Sequence, residues 1–261
     1  VGLSNESFTK EVINMEMLAN GSIDGFILSI SKETLLKQDY HHFNATIKQG
    51  MPIVMFDRVV NEVDCDKVIV DDFNGAVKAV NKLIENDCKK ITLITTMDYI
   101  SVGRLRTQGY LDALQNKGIV ADSNLILKID DSLDVENHLE ILEAEIAQFL
   151  KSNPNIDSVF AVNEIYAVTA MKVARKLGLS IPDDIQVIGF TDGVLSKHAT
   201  PGLTTVSQHG QKMGEQSANL LIDRLEAEDA ETEQYFTNNE QRPDFIKVVI
   251  ETEIIEREST K

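Results

Sequence analysis

The residues of this sequence that could do chemistry fall just after short apolar runs. Ser29 follows Phe26-Ile-Leu28, Asp57 and Arg58 follow Ile53-Val-Met-Phe56, and Asp71 and Asp72 follow Val68-Ile-Val70. Thr95 and Thr96 follow Ile91-Thr-Leu-Ile94, Asn163 follows Val159-Phe-Ala-Val162, and Thr191 and Asp192 follow Val187-Ile-Gly-Phe190. Hydroxyls, amides and carboxylates suit hydrogen bonds to the hydroxyls and ring nitrogens of a small polar ligand. Each also has a structural alternative. Asp72, Asn163 and Thr191 precede helical stretches, where each could serve as an N-cap. Asp57 and Arg58 could pair with each other or with neighbours.

Patterns for catalysis are missing. There is no GxSxG elbow, no GxGxxG after a strand, no Walker loop and no HExxH. The histidines are His41, His42, His138, His198 and His209, without ligand spacing to a second His or Cys; the adjacent His41 and His42 should point different ways on a helix. His209 lies near Ser207 and Gln208 with no nucleophile to serve, and reads as a surface or hinge residue. The expectation is no catalytic residue, no metal site and no cofactor.

The elements that must position these residues alternate. Strands are expected at 22–29, 52–56, 67–70, 91–95, 125–129, 158–162, 185–190 and 203–206, with a final extended pair over 245–255. Helices are expected at 34–49, 73–86, 104–117, 135–151, 164–177 and 213–225; Gly118 and Gly178 close two of them. Short apolar strands separated by helices make parallel βαβ units, and runs such as Val159–Val162 fit a sheet covered on both faces. The fold class is therefore α/β, doubly wound, and the strand count calls for two sheets. Ligands of such sheets sit beyond the carboxyl ends of the strands, where the polar residues above fall.

Composition narrows the partners. The 261 residues are 43% hydrophobic, enough for a sizeable core, and the formal charge of −17 opposes binding to phosphate backbones or anionic membranes. Cys65 and Cys88 are the only cysteines and are expected as reduced thiols of a cytoplasmic protein. No apolar run reaches membrane-span length, and no signal peptide is evident. The acidic run Asp223–Glu233 reads as a solvated helix end.

Several stretches together resemble the effector-binding core of the lactose-repressor (LacI/GalR) family of bacterial transcription regulators. They are Ser158-Val-Phe-Ala-Val-Asn-Glu164, Lys176-Leu-Gly-Leu-Ser-Ile-Pro-Asp-Asp-Ile-Gln-Val-Ile-Gly-Phe190 and Pro201-Gly-Leu-Thr-Thr-Val-Ser-Gln208. Pro52–Arg58, Val70–Ala76, the Arg-x-x-Gly-aromatic motif Arg106-Thr-Gln-Gly-Tyr110 and the tail Glu251–Thr260 add to the likeness, which runs in order along essentially the whole chain.

The resemblance implies two doubly wound parallel-sheet subdomains of the periplasmic-binding-protein-like I type, with a ligand cleft between them. Residues 1–97 with 207–238 would form the first and 98–206 with 239–261 the second, crossing near Met97–Ser101, Val206–Gln208 and Thr237–Arg242. It implies a sugar-like effector, a homodimer, and operator DNA bound only through a helix-turn-helix absent from this sequence. Arg106 would grip effector hydroxyls or a carboxylate, Asn163 would contact the ligand, and Asp71 or Asp72 would do so from the opposite wall. Thr191, Asp192, Ser29 and Gln208 complete the expected ligand-binding set. Val1–Asn5 resembles the family's second strand, with the first strand and helix missing. Asn163-Glu164 replaces the common Asn-Asp, and Thr191 stands where an acid is usual, which would make Thr191 the contact and leave Asp192 a structural role. A transport-linked sugar-binding protein is the rival reading, and an α/β enzyme using the rim carboxylates is a second. On sequence alone, Arg106→Ala should abolish effector binding and leave thermal stability nearly unchanged.

Overall fold

A computed structural model describes residues 1–21, 23–130, 138–233 and 245–261. The elements in chain order are α1 (Phe8–Ala19), β1 (Phe26–Leu28), α2 (Lys32–Lys37), α3 (His41–Lys48), β2 (Ile53–Phe56), β3 (Asp66–Val70), α4 (Asp72–Glu85) and β4 (Ile91–Thr96). They continue with α5 (Ser101–Asn116), β5 (Ile126–Ile129), α6 (His138–Ser152), β6 (Ser158–Ala161), α7 (Glu164–Lys176) and β7 (Gln186–Thr191). Last come α8 (Val194–His198), β8 (Thr204–Ser207), α9 (Gly210–Glu233), β9 (Lys247–Ile250) and β10 (Glu253–Ile255). The α/β expectation holds, with two separate sheets.

The chain divides into two compact units, Val1–Val70 with Gln211–Ile250, and Asp71–Gly210 with Glu251–Lys261. The first carries a four-stranded parallel sheet in the order β1-β2-β3-β9. Val54, Val68, Val70 and Ile250 from its strands bury against Met213 and Leu220 of α9. The apolar spacing of Met213, Leu220 and Leu221 lays one face of α9 on the sheet. At the start of β3, buried Asp66 accepts two hydrogen bonds from Arg224 (2.6 and 2.7 Å) and one from the Ile246 N–H (2.7 Å), tying β3 to α9 and to the approach to β9.

Three local differences from the sequence expectation occur here. The helix expected over 34–49 is two helices, because Gln38 turns left-handed (φ 53°) and Asp39 accepts the His41 N–H at 3.1 Å. That side-chain acceptor competes with continuation of the helix. Helix α1 was not expected, since its buried residues are only Glu11 and Met15 and no apolar stripe marks it. Val1–Asn5 forms no strand; Val1 and Leu3 are exposed. Buried Glu11 joins the helices of this unit, accepting from the Ser31 N–H (2.7 Å) and Thr34 Oγ1 (2.6 Å) and facing His42 Nε2 at 3.0 Å.

The second unit carries six strands in the order β10-β8-β7-β6-β4-β5, all parallel except β10 against β8. Strand β4 lies between β5 and β6, so successive connections leave it in opposite directions. That reversal is the switch point of a doubly wound sheet. Leu93, Ile94, Val159, Phe160, Val187 and Ile188 are fully buried, as a sheet covered on both faces requires. The tail is woven in: Ser259 Oγ donates to the Val187 carbonyl (2.6 Å) and its own carbonyl accepts the Val187 N–H (2.9 Å).

The boundary between units falls at 70/71, not near 97–101, and the other crossings fall at 210/211 and 250/251. Helix α4 and strand β4, expected in the first half, belong to the second. Gly75 of α4 abuts Phe190, where a Cβ would come within 2.8 Å of the ring, and Lys78 donates to the Thr252 carbonyl at 2.6 Å. Strand β4 is hydrogen-bonded on both sides within the six-stranded sheet. The crossing expected near 237–242 lies outside the described residues, as do Ser22 and residues 135–137 of the expected helix. Phe245–Ile255 does not form a pair: β9 joins one sheet and β10 the other. Among the described residues no helix is long and apolar enough to cross a membrane. Cys65 and Cys88 are buried free thiols.

Candidate functional site

The second unit gathers polar groups at the carboxyl end of its sheet. Arg106, on the second turn of α5, reaches the switch point between β4 and β6. Its Nε donates to Asp72 Oδ1 at 2.8 Å and its Nη1 to the Val162 carbonyl at 2.5 Å. Nη2 lies 2.6 Å from the same Asp72 oxygen but is not aligned for a hydrogen bond to it. The guanidinium stacks on Phe190 with its carbon 3.7 Å from the ring centroid. Arg106 and Asp72 are each 4% exposed, so the pair is a buried, charge-assisted contact.

Two glycines make this arrangement possible. Gly75 lets the Phe190 ring lie against α4, and Gly109 lets α5 approach the backbone of α4 beside Asp72. Tyr110, the aromatic residue of the motif, is fully buried and donates to the Ile91 carbonyl at 2.9 Å; burial pushes its hydroxyl pKa up. The Arg-x-x-Gly-aromatic spacing therefore presents one polar side chain to the sheet edge, allows one close helix crossing, and inserts one ring into the core.

The remaining expected residues divide. Asp71, not Asp72, caps α4, accepting the Asn74 N–H (3.1 Å) and the Asn74 amide (2.7 Å). Asn163 caps α7 through its oxygen, 2.8 Å from the Tyr166 N–H, which leaves its amide NH2 group able to donate elsewhere. Thr191 is no cap. It ends β7 with φ at 132°, followed by Asp192 at 61°, both in backbone regions that L residues avoid. Asp192 accepts from Arg257 Nη2 at 2.6 Å and lies 3.8 Å from Lys197 Nζ. Gln208 follows β8 and donates its N–H to the Thr191 carbonyl at 3.4 Å.

Arg106, Asp72, Asn163, Thr191 and Gln208 thus occupy adjoining strand ends and helix starts of one unit. Asp71 and Asp72 share that unit with Arg106 and Asn163 and do not face them from the other. Ser29 belongs to the first unit, beyond β1, where its buried Oγ has no hydrogen-bond partner among the described residues and the residue lines a cavity of about 480 Å³. Arg58 lines the same cavity and pairs with Glu6 through two 2.9 Å bonds, and not with Asp57. Burial works to raise the Glu6 pKa, but the bond and charge of Arg58 and the Lys32 N–H leave it below the usual carboxylate range. His209 faces Glu253 at 3.6 Å. Among the described residues no group of three or more His, Cys, Asp or Glu side chains converges as a metal site.

Sequence reasoning did not single out three participants. Phe190 was assigned only to its strand, although it carries the Arg106 stack. The Val162 carbonyl has no side-chain signal at all. Arg257, which holds Asp192, lies in the tail and could be found only by knowing which strand end the tail passes.

Comparison with known proteins follows the same outline. The model of the periplasmic binding protein-like domain family matches residues 80–260. The chain is 29% identical over 244 residues to the HTH-type transcriptional regulator CelR of Thermobifida fusca, covering 93% of this chain and 65% of that protein. It is 28% identical over 258 residues to the ribose operon repressor of Halalkalibacterium halodurans, covering 99% of this chain and 69% of the repressor. The chain thus spans about two thirds of the length of these relatives. Among solved structures, a CelR–cellobiose complex superposes with a TM-score of 0.79 at 27% identity, over 97% of this chain and 71% of that one. The transcription regulator CcpA of Lactococcus lactis superposes at 0.77 with 22% identity, over 99% and 86%, and shares the fold.

Proposed function

Because this chain belongs to the periplasmic binding protein-like family and its relatives are regulators of the LacI type, we propose that it is the effector-sensing core of a bacterial transcriptional regulator. The effector is a small polar molecule, a sugar or sugar derivative. It meets Arg106, Asn163 and Thr191, with Asp71, Asp72, Asp192, Gln208 and Ser29 contributing contacts or holding the others in place. Effector binding changes the affinity of a separate DNA-binding head for its operator, with a reciprocal coupling on the usual scale of about 1–3 kcal/mol. The regulator acts as a homodimer in the cytoplasm, and the core carries out no turnover.

The observation that carries this reading is Arg106 at the β4/β6 switch point, fixed by Asp72, the Val162 carbonyl and Phe190. A rigid guanidinium among amide and hydroxyl groups at the carboxyl edge of a doubly wound sheet is suited to recognise hydroxyls without activating a nucleophile. CelR was solved with cellobiose, which supports a saccharide. That the relatives bear the names of regulators favours this reading over a transport protein or an enzyme.

A thermal-shift screen of mono- and disaccharides, sugar phosphates and nucleosides tests it. A bound effector at 100 times its dissociation constant stabilises the fold by about 2.7 kcal/mol, a readily measured rise in melting temperature. Release of inorganic phosphate or of a cleaved sugar from any member of the screen, catalysed by the purified chain, would contradict the sensing role.

A further inference from the structure

We propose that the sheet edge of the second unit excludes anions, so that the effector is an uncharged polyhydroxylated compound, and that Asp72 sets this selectivity. The inference rests on the sensing role above and narrows its ligand class.

An arginine at a binding edge ordinarily invites a phosphate or carboxylate. Here that charge is already matched. Asp72 Oδ1 sits 2.8 Å from Nε and 2.6 Å from Nη2 of Arg106, and both side chains are about nineteen-twentieths buried. The guanidinium cannot swing out to meet a second anion without losing its 2.5 Å bond to the Val162 carbonyl and its stack on Phe190. A phosphate brought to Arg106 would stand within a few ångströms of the Asp72 carboxylate, and two anions sharing one buried cation repel strongly.

The neighbouring cations Arg257 and Lys197 share one carboxylate, and Lys197 is more than half exposed, so water screens the charge that remains. Arg257 holds Asp192 at 2.6 Å, and Lys197 lies 3.8 Å from the other oxygen of the same carboxylate. The helix starts that would attract an anion carry their own acids: Asp71 and Asp72 begin α4, and Glu164 begins α7. The loop ahead of α5 carries Asp98, bonded to Lys128 at 2.6 Å.

What the edge still offers is neutral chemistry. Arg106 has five N–H bonds, of which Nε and one on Nη1 have hydrogen-bond acceptors, while Nη2 is buried without one and can serve only a ligand that comes into direct contact with it. Asn163 uses its oxygen in the α7 cap and keeps its NH2 group, and Thr191 ends its strand with a hydroxyl. Donors of this kind suit hydroxyl oxygens and need no compensating charge.

The test is isothermal titration of the purified chain with matched sets: glucose, gluconate and glucose 6-phosphate; ribose and ribose 5-phosphate; cellobiose and cellobionate. The expected result is at least one set in which the neutral sugar binds tenfold or more tightly than its anionic counterparts. Asp72→Asn, checked for folding by circular dichroism, should narrow that ratio at least threefold by leaving Arg106 with net charge. A wild-type chain that prefers a phosphate or carboxylate member overturns anion exclusion and leaves the sensing role standing. A ratio unchanged in a folded Asp72→Asn variant removes Asp72 as the determinant. If Asp72→Asn does not fold, the wild-type ratios alone decide the exclusion. Binding of no member, charged or neutral, counts against the sensing role itself, and this inference falls with it.

Discussion

Where α5 crosses α4, a Cβ on Gly109 would come within 2.3 Å of the Phe73 carbonyl oxygen and 2.8 Å of the Ala76 Cβ. The Arg-x-x-Gly-aromatic motif therefore contains a packing requirement one turn from its polar residue. Substituting Gly109→Ala forces the helices apart, since backbone cannot give way as a flexible side chain would. Overpacking of this kind costs about 1–3 kcal/mol. The separation also pulls Asp72 from Arg106. We expect a lower denaturant midpoint and weaker effector binding together, measured by guanidinium titration and calorimetry; a variant as stable as the parent would count against the crossing described.

The Arg106–Asp72 pair reverses one expectation drawn from sequence. Arg106→Ala should remove effector binding, but it should also destabilise the fold, because it strands a buried carboxylate. Breaking a buried pair costs about 3–5 kcal/mol, whereas replacing both partners with apolar residues costs much less. The double variant Arg106→Met with Asp72→Leu is therefore expected to be more stable than Arg106→Ala while binding no effector. Equal denaturation midpoints for parent and Arg106→Ala would show that the pair contributes nothing to stability.

Arg257 lies far along the chain from the strand end it holds. Its guanidinium bonds Asp192 and the Leu203 carbonyl, at 2.6 and 2.8 Å. It keeps a residue with φ of 61° beside Thr191 at 132°. Arg257→Ala should release this strained pair and raise the effector dissociation constant severalfold. Hydrogen bonds to charged groups contribute about 1.5–3 kcal/mol, so a stability loss of that order should accompany it. An unchanged dissociation constant would mean that Thr191 needs no such support.

Both thiols should be inert in the folded protein. Burial pushes the Cys65 thiol up to about 11, and burial raises Cys88 as well. Only the thiolate reacts readily, so a disulfide reagent at pH 8 should label neither residue in the native chain and both in guanidinium. Rapid labelling of one thiol under native conditions would indicate that its unit opens locally.

How much of this was legible in advance can be judged residue by residue. The continuous apolar runs at Ile91–Ile94, Val159–Val162 and Val187–Phe190 announced a buried parallel sheet, because only strands covered on both faces lack alternation. The polar residues after those runs were bound to share one edge, since every parallel strand points its carboxyl end the same way. Asn163 and Thr191 were found by that rule, whereas Arg106, which lies inside a helix, was marked only by its likeness to the family's Arg-x-x-Gly-aromatic motif. Helix α1 escaped it, because buried Glu11 interrupts the apolar spacing that would have marked a face.

By itself, the sequence determined the βα alternation, the two sheets and the edge where polar groups gather, because these follow from periodicity and chain direction. Tertiary structure alone decided that α4 and β4 join the second unit, that Asp72 is spent on Arg106 while Asp71 takes the cap, and that Arg257 fastens Asp192. Those outcomes depend on which side chains meet across 34 or 65 residues of chain. Local propensity carries no information about such meetings; for Arg106 and Asp72 the close fit of Gly75 against Phe190 and of Gly109 against Phe73 permits them.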